Sequence, residues 1–545
     1  MYGPRTFLGG LRNWQRSPKR TAGALGWGKE FRELKDEFVL GHSSIDNYLW
    51  LRFFKMMILI CFVGCFITWP VLFAVNATGG VGQTGLDVLS FSNISPGPRY
   101  YASCLVGWVF FSFVMFVITR ESNYYIRLRQ QYYLSPFEKS RISTRTILFV
   151  NVPEESRSEE HLRREFAGVA HVWLVSVPED LAKNVEERDK AATKLETGEI
   201  KLIQNYITRQ MKDEKKGRVT EASKIIDAKK DRPSHRLPVL KFLPLGKKVD
   251  TIDWSRGELH RLIPQVAREQ LEYRNDTSMP QSACFIEFQS VKAAHDAVVQ
   301  CSQGGMAKGL KSKVKMTPAE VGVVPENVIW KAIIKKPATV KLISTLSTAF
   351  VWLLCIFWAI PVAVIGAISN IDKLTQIVPF LSFINDIPSV VRGVVTGLLP
   401  VILLAVLMAL VPIVMMLLAK LFCPTLAAAN LKVQGWYFPF QVIQVFLVTT
   451  FASGAAAVVQ NIIQAPQEAP ALLAQSLPTA SNFYISYFIL FGLTTTAMQF
   501  LNVVPLLFVL VLGKILDKTP RKMYNRYTTL AGKAISRPIS NCPPC

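Results

Sequence analysis

Uncharged polar side chains lie in the middle of a long apolar stretch near the C-terminal end. No charged residue occurs between Phe483 and Gly513, which as a helix is long enough to cross a hydrocarbon layer of about 30 Å. Thr495, Gln499 and Asn502 stand at i, i+4 and i+7, so one helix would place them on one face. Because amides within lipid need partners or water, this pattern indicates either a pore wall or a bundle contact.

The preceding apolar stretch carries a second polar stripe. Thr449, Ser453 and Gln460 stand at i, i+4 and i+11 and share a helix face. If the two stripes faced each other they could line a water-filled path, or they could satisfy each other and leave no path. Glycine and proline loosen a helix locally, and the hinge candidates of these two stretches are Gly454, Gly492 and Pro505.

Composition favours a bundle of membrane spans joined to a soluble domain. Half of the 545 residues are hydrophobic, yet 19% are charged and the net charge is +23. The nine cysteines show no disulfide framework and no metal-ligand spacing. The six histidines form no HExxH pair, and no GxSxG elbow is present. We therefore predict a protein that is not an enzyme and has no cofactor and no metal site.

Hydropathy and charge predict a polytopic α-helical membrane protein. The six predicted spans cover residues 51–75, 101–120, 342–366, 394–419, 438–463 and 483–513. Lysine and arginine are concentrated in 1–50, 121–341, 420–437 and the C-terminal tail, which the positive-inside rule places in the cytoplasm together with both termini. The loop between the first two spans holds two glycosylation sequons, at Asn76 and Asn93.

The soluble insert has alternating strand and helix patterns. Strands are predicted at 146–153, 171–177, 283–288 and 311–317, helices at 158–169 and 291–301, and a charged helical insertion at 181–274. The order βαβ–insertion–βαβ indicates a ferredoxin-like sandwich, which is also the RNA-recognition fold. Phe149 occupies a base-stacking position, but Ala283 replaces another stacking aromatic and the usual Arg/Lys-Gly opening is absent. A structural role for this soluble domain is favoured, and no nucleic acid is expected as a partner.

Several separate motifs resemble one family. The segments VDTIDW (249–254), FWAIPVAVIGAISNI (357–371) and LDKTPRKMYNRY (516–527), with the entry into the soluble domain, resemble the fungal branch of the OSCA-type calcium-permeable stress-gated cation channels. That family is similar in fold to the anoctamins. The resemblance covers nearly the whole chain, from about Tyr2 to Leu530.

The resemblance implies a cation channel that opens under membrane tension or osmotic stress. It implies a homodimer in the plasma membrane, in contact with membrane lipids, that passes calcium, potassium and sodium through a pore in each subunit. Carried over by position, the pore-lining candidates are Gln441, Thr449, Ser453, Gln460, Thr495, Gln499 and Asn502. Plant relatives carry a glutamate on the fifth helix, whereas this chain has no acid from Gln434 to Gln467. The alternatives are an anoctamin-like lipid scramblase and a membrane scaffold whose soluble domain binds RNA or protein.

The predicted organisation has five parts. These are a basic N-terminal segment (1–50), the first two spans (51–120), the soluble RRM-like domain (121–341), the four pore-forming spans (342–516) and a basic tail (517–545). Members of the family have a further span before the first segment and about four more after the last. We therefore expect the chain to be truncated at both ends.

Overall fold

The structure is a computed structural model of the chain. It describes residues 26–42, 45–95, 97–176, 179–217, 230–236, 246–275, 282–306, 316–358, 407–447, 481–502 and 519–528, with a few isolated positions elsewhere. The first two predicted spans are described throughout. The other four, 342–366, 394–419, 438–463 and 483–513, are described in part.

The N-terminal region is a helical hairpin preceded by two short helices. Helices α1 (Gly26–Glu33) and α2 (Asp36–His42) lead into α3 (Ile45–Ala77), and α4 (Tyr100–Leu134) runs back antiparallel to it. The two helices approach closely at Gly64, where an added Cβ would lie 2.7 Å from the ring of Phe110. A glycine at this point therefore lets the second helix pack against the first.

The loop between α3 and α4 is held by a network of side-chain amides. The Nδ2 atom of Asn93 donates to the carbonyl of Asn76 at 2.7 Å, and Nδ2 of Asn76 donates to the carbonyl of Leu89 at 2.7 Å. Both asparagines are buried, with 3% and 7% of their surfaces exposed. Glycosylation at Asn76 and Asn93 stays a prediction, and a glycan on either nitrogen would have to displace a buried hydrogen bond.

A sheet domain follows α4 and a short helix, α5 (Pro136–Lys139). Its elements in chain order are β1 (Thr146–Val150), α6 (Glu159–Glu165), β2 (Val169–Leu174), α7 (Glu179–Lys215), β3 (Ser234–Arg236), β4 (Lys248–Asp250), α8 (Thr251–Asn275), β5 (Ala283–Phe288), α9 (Val291–Met306) and β6 (Thr317–Val321). Four strands form one antiparallel sheet in the order β2-β5-β1-β6, and β3 pairs with β4 in a separate hairpin. The last strand was predicted at 311–317, whereas the structure begins it at Thr317.

Both faces of this sheet are covered by protein. On one face Phe149 is fully buried and its ring stacks on Phe166 at 5.3 Å. On the other face Leu148 and Ala283 pack with Val323, Val328 and Ile333, which follow β6. The hypothesis that Phe149 stacks on RNA bases is therefore wrong, because no nucleotide can reach a ring that lies inside the core.

The charged insertion is an antiparallel pair of long helices. Asn184 on α7 donates to Glu269 on α8 at 2.8 Å, and Arg256 pairs with Glu199 at 3.0 Å. At the start of α8, hydrogen bonds from Arg232 and from backbone amides lower the pKa of Asp250 to about 2. The motif VDTIDW thus forms the corner at which the β3–β4 hairpin turns into α8.

The membrane half begins after a short helix, α10 (Trp330–Ile333). Its described helices are α11 (Pro337–Phe357), α12 (Leu407–Ala419), α13 (Leu426–Gln441), α14 (Ser481–Leu501) and α15 (Pro520–Thr528). Among the described residues, α3, α4 and α11 are long and apolar enough to cross a membrane. Helices α11, α12 and α13 pack together through a buried cluster that includes Cys355, Met415 and Phe440.

Candidate pore-lining region

The fifth predicted span changes its helical geometry at one point. Helix α13 ends at Gln441, and the chain continues as a π-helix over Val442–Leu447. Pro439 lies inside the last turn of α13, and its missing N–H removes one regular hydrogen bond from that turn. Short π-helical segments are rare and occur often at functional sites, so this segment marks the span as a candidate.

Gln444 on the π-helical segment reaches across to another span. Its Nε2 donates to the backbone carbonyl of Cys355 on α11 at 2.6 Å. The surroundings are tightly packed, since Cys355 is 2% exposed and the rings of Trp358 and Phe440 meet edge to face at 5.2 Å. The fifth and third predicted spans are thus joined by a polar contact inside an apolar interface.

The polar stripe that was predicted on the fifth span did not include Gln444. It was built on the 3.6-residue period of an α-helix and started at Thr449, five residues further along the chain. A π-helix has a longer period than an α-helix because its hydrogen bonds run from i to i+5. The available signal was the glutamine itself, an amide within an apolar run that must find a partner.

Among the pore-lining candidates on the fifth predicted span, the structure describes Gln441. The Nε2 of Gln441 donates to the hydroxyl of Tyr437, one turn back on the same helix. The side chain therefore lies at the start of the π-helical segment, near Gln444 in sequence. Thr449, Ser453, Gln460 and the hinge candidate Gly454 lie outside the described residues and stay predictions.

The sixth predicted span is shorter as an α-helix than expected. Thr495 lies on α14 and is exposed, and Gln499 lies one turn later on the same helix, with its side chain outside the described part. Helix α14 ends at Leu501, and Asn502 adopts a left-handed conformation with φ of 52°. This corrects the single helix over 483–513, so Asn502 does not continue the stripe of Thr495 and Gln499.

The left-handed residue Asn502 lies ten residues after the hinge candidate Gly492. Gly492 is inside α14, which runs through it without a break, and an added Cβ there would meet no atom within 4 Å. Asparagine is the residue that most readily replaces glycine in the left-handed position after a helix, which explains the end at Asn502. Pro505 lies outside the described residues.

The described part of this region offers neutral polar groups. Helices α11 and α12 contribute one cation and no acid, Lys341 near the start of α11. Among the described residues no group of three histidine, cysteine or acidic side chains could hold a metal ion. Amide and carbonyl oxygens replace part of a cation's water shell without trapping the ion, which is the chemistry this region can supply.

Comparison with known proteins assigns a family to almost the whole chain. Residues 344–534 match the family described as the 7TM region of calcium-dependent channels. Residues 144–332 match the cytosolic domain of 10TM phosphate-transporter candidates, and residues 1–121 match the family described as late exocytosis, associated with Golgi transport.

Individual relatives agree with these matches. The chain is 35% identical to Phosphate metabolism protein 7 of Saccharomyces cerevisiae over 93% of its length, and 34% identical to protein RSN1 of the same yeast over 97%. It is 23% identical over 88% of its length to Hyperosmolality-gated Ca2+ permeable channel 1.4 of Arabidopsis thaliana. These alignments cover 52%, 55% and 60% of the three relatives, so the chain spans little more than half of their length.

The three family matches and both groups of relatives agree with the resemblance carried by the sequence motifs. The chain is a multi-pass membrane protein with a cytosolic domain. It belongs to the OSCA-type family of calcium-permeable channels, in the branch that includes the yeast relatives.

Proposed function

We propose that this chain forms the ion-conducting part of a cation channel that opens under membrane tension or osmotic stress. The permeant ions are calcium, potassium and sodium, and the working unit is a homodimer in the plasma membrane. The observation that carries the proposal is the π-helical segment Val442–Leu447 with its bond from Gln444 to Cys355. It lies within the part of the chain that matches calcium-dependent channels.

The proposed opening step separates the third and fifth spans. Tension favours the state that occupies more membrane area, so helices that are joined in the compact state must part or tilt. The bond between Gln444 and the carbonyl of Cys355 is one such joint. The π-helical segment can return to α-helical geometry, which would rotate the following Thr449, Ser453 and Gln460 relative to α13.

The soluble part has a structural place in this proposal. The strand order β2-β5-β1-β6 with α6 and α9 packed on the sheet supports a ferredoxin-like sandwich. The proposal keeps six spans, and it is supported by the three long apolar helices and by α12, α13 and α14, which lie at or within the predicted spans that the structure describes in part. An experimental structure of the dimer would test both the domain class and the number of spans.

The direct test is current through purified protein. Full-length protein in liposome patches should pass calcium and potassium current when suction stretches the membrane, and liposomes without protein should not. No current under tension, together with tension-independent uptake of labelled phosphate, would replace the channel by a transporter. Flipping of fluorescent lipid without ion current would replace it by a scramblase.

A further inference from the structure

A basic cavity lies between α3 and α4 at the end where both helices leave the apolar layer. Its volume is about 510 Å³, and its lining residues are Arg52, Arg120, Asn123, Tyr124 and Arg127. Arg52 stands near the start of α3, and Arg120 directly follows the uncharged stretch 101–119 of α4. This is the depth at which lipid headgroups meet a membrane protein.

The chain order places this cavity on the cytosolic side. Helix α4 continues beyond Arg127 to Leu134, and β1 of the sheet domain begins twelve residues later at Thr146. That domain matches the cytosolic domain of the family over 144–332. The cavity therefore faces the leaflet that carries most anionic phospholipid.

The charges of the cavity do not cancel. Glu121 is the carboxylate beside it, and it pairs with Nε of Arg52 at 2.6 Å and lies 3.6 Å from Nε of Arg120. Arg127 has no ion pair or hydrogen bond with any described residue. Three guanidinium groups against one carboxylate leave two positive charges at the cavity.

The two helices bring these groups together, and side-chain contacts hold one of them in place. The guanidinium of Arg52 lies over the ring of Tyr124, 3.5 Å from its centroid, and is held there by Glu121. Arg120, Asn123 and Arg127 stand at i, i+3 and i+7 of α4, so they project from one face. The helix backbone thus places Arg120 and Arg127 on one side of α4, and Arg52 is the guanidinium that side-chain contacts hold in place.

We propose that this cavity binds the phosphate-bearing headgroup of an anionic phospholipid from the cytosolic leaflet. Guanidinium groups bind phosphate oxygens in pairs of parallel hydrogen bonds, and basic pockets between spans on this side are suited to such headgroups. The acyl chains have an apolar surface beside the site, since Phe116 lies one turn before Arg120 and is 64% exposed. Inorganic phosphate shares the oxyanion chemistry but leaves this apolar surface unused.

The test measures binding of a short-chain phosphatidylinositol monophosphate to the purified full-length protein in detergent. The Arg120→Gln/Arg127→Gln variant should weaken binding by roughly thirtyfold, because each arginine near the headgroup contributes about fivefold. Arg129→Gln is the matched control, because Arg129 lies on the same helix outside the cavity and faces Tyr133. Unchanged elution and melting temperature would show that the variants are folded.

The outcomes distinguish three cases: binding of a lipid headgroup, binding of inorganic phosphate, and non-specific attraction to a basic surface. Loss of binding in the double variant, retained binding in Arg129→Gln and no displacement by millimolar inorganic phosphate would support the proposal. Saturable binding of inorganic phosphate that displaces the lipid would overturn it in favour of a phosphate site. Equal loss in Arg129→Gln, or no loss in the double variant, would also overturn it. None of these results depends on whether the protein conducts ions.

Discussion

If the chain forms the proposed tension-gated channel, replacing Gln444 by methionine should make it open at lower tension. The substitution keeps an unbranched side chain of similar length but removes the amide that donates to the carbonyl of Cys355 at 2.6 Å. A neutral hydrogen bond contributes roughly 0.5–1.5 kcal/mol, and polar contacts between membrane helices average about 0.6 kcal/mol. If the bond exists only in the compact state, its loss shifts the closed-to-open equilibrium by about threefold to tenfold.

The assay is the pressure–response curve of excised patches with equal amounts of wild-type and variant protein. Gln434→Met is the matched control, because Gln434 lies on α13, is exposed, and stands more than two turns before the π-helical segment. The variant at Gln444 should reach half-maximal current at lower suction, and the control should follow the wild type. An identical curve for both variants would remove this bond from the gating step.

Three further predictions concern stability and packing. Asp250→Asn should lower the melting temperature at neutral pH, since Arg232 lowers the pKa of Asp250 to about 2 and stabilises the folded state by roughly 2 kcal/mol. This contribution is present above the ordinary aspartate pKa and is lost as the pH falls through about 2, so variant and wild type should converge there. Glu287→Ala should destabilise the sheet domain by roughly 2 kcal/mol in thermal melting, because the buried Glu287 loses its hydrogen-bonded pair with the half-buried Arg145 at 2.7 Å. Gly64→Val should weaken the α3–α4 hairpin, measured as faster proteolysis in detergent, whereas substitution of the open Gly107 should not.

The sequence was sufficient where one strong pattern decides the structure. The uncharged stretches 56–77 and 100–119, which lie within α3 and α4, are too long and too apolar for any element other than a membrane helix. Strand β5, Ala283–Phe288, was predicted with its observed bounds, because a short apolar run between polar segments leaves little choice for where the strand begins and ends. The family motifs likewise indicated the relationship that the comparisons confirmed.

The sequence was insufficient where distant residues decide the structure. Strand β1 is apolar on both sides, with four consecutive buried residues, so period-two alternation could not tell which face meets the helices. The sequence therefore left open whether Phe149 lies in the core or on a face that could stack on bases, although a structural role was favoured. The end of α14 at Asn502 and the π-helical segment after Gln441 are local departures that leave the hydrophobic pattern unchanged. For the same reason a sequon at Asn93 could not reveal that its amide is buried.

Among the described residues, the contacts between the cytosolic domain and the membrane half include an exposed ion pair and a buried backbone junction, and their physical strength differs. Arg521 on α15 pairs with Glu196 on α7 at 3.0 Å, but the arginine is largely exposed, and such pairs contribute at most about 1 kcal/mol. The other contact uses backbone: the amide of Ile329 donates to the carbonyl of Pro424 at 2.9 Å, and the fully buried Thr425 caps α13 through the amide of Ala428.

Because backbone bonds in a buried junction resist separation more than an exposed ion pair, a displacement of the domain should act first on the start of α13. That helix runs without interruption from Leu426 to Gln441 and enters the π-helical segment there. A rigid helix transmits rotation along its whole length. The π-helical segment can change its own geometry, and the residues that follow it then rotate more or less than α13 does. The bond from Gln444 to α11 therefore lies where a motion of the cytosolic domain and a tension in the membrane would act on the same pair of spans.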